Sequence, residues 1–164
     1  MSLNGIIARE NNEEDFISHD SWQEWLKWIR KSGCVIWGRK THEVVKSWDK
    51  QYFKDIKGVR AIVVSSNHNY EVGGGFELVS SPREALDKLE KEGFTTAIVT
   101  GGSTLNSSFA KSRLIDEVIV NIESVIIGKG IPLFNSESFD LTLKLLETKT
   151  YRNGIIQSHY KVKK

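Results

Sequence analysis

Apolar and polar positions follow two different patterns along the first two thirds of the chain. Four short runs, at residues 34–37, 60–66, 76–79 and 96–100, are mostly apolar and are bounded by glycine or polar residues. Such runs are typical of strands that are buried on both faces of a parallel sheet. The stretches around them carry apolar residues three and four positions apart, which indicates helices. This part of the chain therefore predicts an α/β arrangement.

The aromatic residues near the start of the chain predict an amphipathic helix over residues 19–33. Within this range Trp22, Trp25, Leu26 and Ile29 follow the i, i+3, i+4, i+7 spacing of one helix face. A stripe of this kind normally packs against the core, so we expect most of these side chains to be buried.

Residues 81–93 carry the clearest start and stop signals of any helix in the chain. Ser81 occupies the N-cap position, Pro82 the first helical position, and Glu84 lies three residues after the cap. Gly93 follows the last apolar position and ends the helix. Two shorter helices are predicted at residues 41–47 and 103–112.

The last third of the chain has longer segments that lean toward alternation of apolar and polar residues. These segments cover residues 116–128, 142–151 and 155–162, and Asn153-Gly154 supplies a hairpin turn between the last two. The alternation predicts antiparallel strands. We therefore expect a single domain over residues 1–164, with a mixed, mainly parallel sheet, antiparallel C-terminal strands and helices on both faces.

Composition narrows the classes of function. The 164 residues include 23 basic and 21 acidic side chains, a net charge of +2, which favours neither a nucleic-acid partner nor a membrane surface. No apolar stretch approaches the roughly 20 residues of a membrane span. The one cysteine, Cys34, lies in an apolar run and is interpreted as a buried residue of a cytoplasmic protein without disulfides. No metal site is expected, because the spacing of the histidines along the chain does not match that of metal ligands. These histidines are His19, His42, His68 and His159.

Candidate binding chemistry lies where three of the predicted parallel strands end. Ligands of open α/β sheets bind at the carboxyl ends of the strands, and helix N-termini with basic side chains favour phosphate. Adjacent glycines let a backbone approach a ligand closely. Neither the G-x-G-x-x-G nor the P-loop motif is present. Together the three ends predict a long phosphorylated ligand such as a dinucleotide, and their residues are Gly38, Arg39, Lys40 and Thr41, then Ser65 and Ser66, then Gly101, Gly102, Ser103, Thr104 and Leu105.

Five segments, in this order along nearly the whole chain, resemble the dihydrofolate reductase superfamily, especially the branch shared with the reductase domain of riboflavin biosynthesis. They are SLNGIIA (2–8), GRKT (38–41), VVSS (63–66), TGGSTL (100–105) and LIDEVIVNIESVIIGKGIPLF (114–134). The last segment resembles a D-E-hydrophobic strand that is followed by G-x-G-x-P-L-F, and the combination is more specific than any single motif.

The resemblance implies an NADPH-dependent reductase. The residues at 39–41 would bind the cofactor phosphates, and Ser65 and Ser66 would lie near the adenosine 2′-phosphate. Gly101 and Gly102 would contact the pyrophosphate and nicotinamide side, with residues 103–105 at the helix start. In dihydrofolate reductases the corresponding Gly-Gly bond is cis, so the resemblance implies a cis bond here as well.

The resemblance implies a small-molecule substrate. The leading candidate is a pteridine such as dihydrofolate, and the alternative is a ribosylamino-pyrimidine of riboflavin biosynthesis. A third alternative is an NADPH-binding module without catalysis. Dihydrofolate reductases carry an arginine that holds the folate tail. The matching position in this chain is Val59, and the nearest arginine, Arg60, comes one residue later. Residues 41–53 lack the Asp-x-Pro of the riboflavin reductases, and Ser124 replaces their proline. The oligomeric state stays open, a homodimer being one candidate.

Reduction of a C=N bond also needs a proton on the nitrogen. Dihydrofolate reductases take it from a carboxylic acid near the start of the first helix, where this chain offers Asp20 and, as a second candidate, Glu24. The alternative is structural: Ser18 caps the helix, and Asp20 complements the helix dipole.

The family has a full strand immediately before the segment that matches residues 2–8. The unpaired backbone of neighbouring strands would need partners. We expect either residues upstream of Met1 or a compensating contact from another segment.

Overall fold

The computed structural model describes residues 1–48, 54–151 and 153–164. Residues 49–53, in the segment without Asp-x-Pro, and Arg152, beside the predicted turn, lie outside the described residues. The elements in chain order are β1 Ile6–Ala8, α1 His19–Ser32, β2 Cys34–Gly38, α2 Arg39–Lys46, β3 Arg60–Val64, β4 Glu77–Val79, α3 Pro82–Lys91, β5 Ile98–Val99, α4 Ser103–Lys111, β6 Glu117–Ile122, β7 Ile131–Pro132, β8 Leu143–Thr150 and β9 Ile156–Val162.

The four buried apolar runs form a parallel sheet with the strand order β4-β3-β2-β5. β2 is central: Val35 pairs with Ala61 of β3 on one side and with Ile98 of β5 on the other. Because all three pairings are parallel, the carboxyl ends of these strands meet at one edge of the sheet. The predicted α/β fold class, with its parallel and antiparallel parts, is confirmed.

Successive residues of β2 point to opposite faces and divide the core into two halves. Val35 and Trp37 pack under α1 and α2, whereas Cys34 and Ile36 pack under α3 and α4. All four are buried, so the expectation that Cys34 is a core residue is confirmed. The aromatic stripe of α1 follows the prediction in part, because Leu26 is buried while the indoles at its N-terminal end are only partly covered. Among the described residues, no helix has the length and apolarity that a membrane span requires.

The antiparallel part contains β6, β9 and β8 in that order, and β1 pairs with β7 beside it. The predicted hairpin is present: Tyr151 N donates to Ile155 O at 2.9 Å, and Gly154 takes the positive φ of 82° that a tight turn requires. The described strands are hydrogen-bonded as three separate groups, whereas the sequence pattern suggests one continuous sheet.

Several predicted boundaries differ from the observed ones. β6 ends at Ile122 instead of residue 128, because the backbone beyond it pairs with the first residues of the chain. Glu123 N donates to Met1 O at 2.8 Å, and Leu3 N donates to Val125 O at 2.8 Å. α2 begins two residues earlier than predicted, directly after Gly38, and β5 is shorter than its apolar run.

The helix with the clearest sequence signals, α3, has the predicted cap. Ser81 Oγ accepts a hydrogen bond from Glu84 N at 3.2 Å, and Pro82 opens the helix. The Glu84 carboxylate reaches back one residue further than a standard capping box, because it accepts from Ser80 N at 2.8 Å.

We expect Ser81→Ala to lower the free energy of unfolding by about 1 kcal/mol, because it removes the side-chain acceptor for a first-turn amide. Urea unfolding followed by circular dichroism measures the change. Ser138→Ala, at an exposed position outside the helices and strands, is the control and should change the free energy by less than about 0.5 kcal/mol. Equal effects of the two variants would contradict the capping role.

Candidate active site

The ends of β2 and β5 are in direct contact at the carboxyl edge of the parallel sheet. Gly38 N donates to Gly101 O at 2.8 Å. A Cβ on Gly38 would lie 3.5 Å from Leu105 Cβ, and one on Gly102 would lie 3.4 Å from Thr41 Oγ1. The peptide bond between Gly101 and Gly102 is cis, as the resemblance implied. Two motifs that are more than 60 residues apart in the sequence therefore form one surface.

Two helices begin at this surface without a side-chain cap. The N-caps of α2 and α4 are Gly38 and Gly102, whereas α1 and α3 are capped by the hydroxyls of Ser18 and Ser81. The amides of a helix's first turn have no partners within the helix. At α2 and α4 these amides are available to an anion at adjacent strand ends, and Arg39 and Lys40 add positive charge.

The end of β3 lies beside the same surface because β3 pairs with β2. Ser65 is buried, and its Oγ accepts from Asn67 N at 3.0 Å, so this hydroxyl shapes the turn. Ser66 is exposed. Of the two predicted serines, Ser65 therefore stabilises the turn, and Ser66 is the one that a ligand can reach.

The Arg39 side chain lies against a pair of residues that the sequence analysis did not assign to the site. Its guanidinium carbon is 6.0 Å from the centre of the Tyr70 ring, and its Nε is 3.7 Å from Glu43 Oε1. Tyr70 OH is 2.7 Å from Nδ1 of His42, which is fully buried. Burial lowers the pKa of His42, so a neutral ring anchors the tyrosine. The sequence offers one signal for the cluster of Arg39, His42 and Tyr70, which is the i, i+3 spacing that places Arg39 and His42 on one face of α2.

The side chains at the start of α4 are engaged with the segment that contains β7. Ser103 Oγ donates to Pro132 O, Asn106 Nδ2 donates to Leu133 O at 2.8 Å, and Asn135 Nδ2 donates to Thr104 Oγ1 at 3.1 Å. These contacts hold α4 in place, so a ligand would meet its backbone amides.

Two buried side-chain polar atoms, Thr100 Oγ1 and His42 Nε2, have no hydrogen-bond partner within the described residues. Thr100 immediately precedes the glycine pair. Its hydroxyl is a further polar group at the surface formed by the strand ends, and the sequence analysis did not assign it to the site.

A cleft of about 630 Å³ opens between the segment 11–19, α1 and the end of α2. Its apolar wall consists of Ile17, Trp22, Val44 and Trp48. Trp22 also stacks on Trp25, with ring centroids 4.7 Å apart. The helix α2 begins at the strand ends and reaches this cleft with its C-terminal part, over a length of about 12 Å. An aromatic-walled cleft of this size suits a planar heterocycle.

The two carboxylates predicted as proton donors lie on α1 and are not among the residues that line the cleft. Asp20 is exposed in the first turn, where Ser18 Oγ accepts from Ser21 N at 3.2 Å. Burial acts to raise the pKa of Glu24, but hydrogen bonds from Lys27 and Tyr151 outweigh it and lower this pKa overall. A catalytic role for Asp20 or Glu24 stays a prediction.

A buried carboxylate that the sequence analysis missed holds the start of α1. Glu123 Oε1 accepts from Ser18 N and Ser18 Oγ, both at 3.1 Å, and from Ser21 Oγ at 2.5 Å. These bonds tie one wall of the cleft to the residue that follows β6. No local pattern marks Glu123, because its partners are about 100 residues away in sequence.

Arg60, the residue next to the expected folate-tail position, is engaged elsewhere. Its guanidinium donates to both carboxylate oxygens of Glu92, at 2.8 and 2.9 Å, and to Glu77. The Glu92 hydrogen bonds raise the pKa of Arg60. Glu92 is the C-cap of α3, on the opposite face of the sheet from α1 and α2. Arg60 therefore does not belong to the cleft.

The parallel sheet, its antiparallel extension and the helices on both faces define a dihydrofolate reductase-like α/β protein. The structure has a TM-score of 0.73 to dihydrofolate reductase from Enterococcus faecalis complexed with NADP(H), at 15% identity over 100% of this chain and 93% of that one. The chain belongs to the RibD C-terminal domain family, whose sequence model matches residues 1–157.

Two further comparisons agree with this family. The uncharacterized protein YyaP of Bacillus subtilis (strain 168) is 24% identical over 169 residues, 98% of this chain and 90% of YyaP. A structure from Shewanella sp. PV-4, provisionally assigned to riboflavin biosynthesis, has a TM-score of 0.85 at 22% identity, covering 100% of this chain and 96% of that one. Membership of the RibD C-terminal domain family supports a reductase role for the chain.

Proposed function

We propose that the protein is an NADPH-dependent reductase that reduces a C=N bond of a small heterocycle. The observation that carries the proposal is the meeting of two glycine-capped helix N-termini at adjacent ends of parallel strands. This is the arrangement that binds the phosphates of a dinucleotide. The aromatic cleft beside it supplies a place for the substrate.

The residues at the strand ends fit the proposed cofactor. The first-turn amides of α2 and α4 would hold the phosphate groups, and Gly38, Gly101 and Gly102 leave room for close approach of the ligand. Arg39, with Lys40 and the exposed Ser66, supplies charge and a hydroxyl for an additional phosphate, which favours NADPH over NADH. When bound, NADPH would supply the hydride for the reduction.

A ribosylamino-pyrimidine is the substrate class that the observations favour. The similar structure from Shewanella sp. PV-4 is described as a riboflavin biosynthesis protein, which favours this class. Recognition of a folate tail would require a cation in the cleft, and Arg60 is instead paired with Glu77 and Glu92. Dihydrofolate remains the second candidate, and a cofactor-binding module without catalysis is the third.

The test is to follow the loss of NADPH absorbance with the ribosylamino-pyrimidine or with dihydrofolate, together with calorimetric titration of NADPH and NADH. We expect tighter binding of NADPH and turnover of the pyrimidine. Turnover of dihydrofolate alone would move the assignment to the pteridine. Tight NADPH binding without turnover of either substrate would identify a binding module, and the absence of NADPH binding would overturn the proposal.

A further inference from the structure

We propose that Glu14, which lines the aromatic cleft, donates the proton that the reduced nitrogen gains; this inference rests on the reductase function proposed above. The residues that α1 contributes to the cleft are Ser18, His19 and Trp22, so no carboxylate of this helix is among them. Among the residues that the structure describes, the acidic side chains that line the cleft come from the segment that precedes the helix: Glu13, Glu14 and Asp15.

Among these three carboxylates, the environments differ in ways that bear on holding a proton. Asp15 Oδ1 accepts from Arg9 Nε at 2.5 Å, and this hydrogen bond lowers the pKa of Asp15. Asp15 therefore stays ionised. The surrounding protein raises the pKa of Glu14 to about 7, so Glu14 is protonated in a substantial fraction of molecules near neutral pH.

Few charged groups of the described residues lie around Glu14. The ammonium group of Met1 acts to lower the pKa of Glu14 and is outweighed by the loss of solvation. Within the described residues, the other titratable groups that line the cleft are Glu13, Asp15 and His19. The end of α2 and the residues after it contribute Val44, Ser47 and Trp48, none of which is charged. The Glu14 side chain keeps solvent-accessible surface although the protein packed around it removes part of its solvation, so water in the open cleft can still reach it.

The proposed proton transfer balances. Bound NADPH would supply the hydride that adds to the carbon of the C=N bond. The π electron pair would then move to nitrogen and take the proton of Glu14 to form the N–H bond. Glu14 is left as a carboxylate, and water that enters the open cleft restores its proton before the next turnover.

Glu14→Gln keeps the shape of the side chain and removes the proton. We expect kcat to fall roughly 10²–10⁴-fold, with loss of the decline in kcat that the wild type shows above about pH 7, and with an unchanged Kd for NADPH. Glu10→Gln is the matched control from the same segment, because Glu10 is exposed and does not line the cleft, and it should keep nearly normal turnover and the wild-type pH profile. Asp20→Asn should likewise keep nearly normal turnover and the wild-type pH profile. Full turnover by Glu14→Gln, or a large loss in Asp20→Asn alone, would overturn the assignment.

A second measurement does not depend on activity. In the wild type the Glu14 carboxyl is neutral in the folded state up to about pH 7 but ionises near 4.5 when unfolded, so the wild type loses stability as the pH rises through this window. The melting temperature of Glu14→Gln should therefore rise relative to the wild type between about pH 5 and about pH 8. A pH-independent difference would overturn the placement of Glu14, whereas a wild type that never binds NADPH would overturn the proposed function.

Discussion

Gly130→Ala is expected to lower the free energy of unfolding by about 3 kcal/mol. A Cβ at this position would lie 2.5 Å from the carbonyl oxygen of Ala8 and 2.5 Å from Cγ2 of Ile6. Both atoms belong to β1, which pairs with β7 immediately after Gly130. Because one contact is with backbone, β1 and β7 must separate to make room, and overpacking of this kind costs about 1–3 kcal/mol, with the backbone contact placing this case at the upper end.

Gly128→Ala is the matched control for this experiment. A Cβ at residue 128 meets nothing within 4 Å, and Gly128 does not have a positive φ. Both substitutions restrict the unfolded chain in the same way, so the difference between the two variants isolates the contact with β1. Denaturant unfolding of both variants gives the two free energies. If Gly130→Ala were as stable as Gly128→Ala, the close approach of β1 to residue 130 would be wrong.

Arg39→Ala is expected to weaken NADPH binding by about 1–3 kcal/mol, or roughly 5- to 140-fold in Kd, and to leave NADH binding nearly unchanged. The guanidinium stands at the start of α2, held against Tyr70 and near Glu43, beside the end of β3. A contact with the phosphate that only NADPH carries would be lost in the variant. The remaining phosphate contacts, made by helix amides, would be kept.

Lys46→Ala, in the last turn of the same helix, controls for the loss of one positive charge from α2. Lys46→Ala should change the affinities for NADPH and NADH by less than about twofold. The Lys46 charge is exposed and lies at the opposite end of α2 from the proposed phosphate site. Calorimetric titration with NADPH and with NADH measures the four affinities. If Arg39→Ala weakened the binding of NADPH and NADH equally, Arg39 would not contact the additional phosphate of NADPH.

The elements with strong local signals could be predicted from the sequence. The serine caps of α1 and α3, the turn at Asn153-Gly154 and the buried strand at Cys34 each depend on residues within a few positions of one another. The strand ends could be identified as binding candidates for the same reason, since glycine and basic residues directly follow apolar runs. Motif order added the family resemblance and the cis bond at the glycine pair.

Other features depend on contacts between distant segments, and no local pattern marks them. β6 is shorter than its apolar run because residues 1–3 pair with the backbone that follows it. Arg60 is adjacent in sequence to the expected folate-tail position, but its ion pairs with Glu77 and Glu92 place it on the other face of the sheet. The contact between Arg39 and Tyr70 likewise joins α2 to a loop about 30 residues later.

By itself, the sequence determined the order of the helices and of the described strands other than β1 and β7, together with the core positions of β2 and the segments from which a phosphate site could be built. Those properties follow from side-chain periodicity and from capping, which act over one or two helical turns. Only the tertiary structure decided that the ends of β2 and β5 meet, and that Glu14 lines the cleft while Asp20 does not. The reason is that strand pairing and burial depend on contacts between residues that are far apart in the sequence. The residues next to each partner in the sequence give no pattern that predicts such contacts.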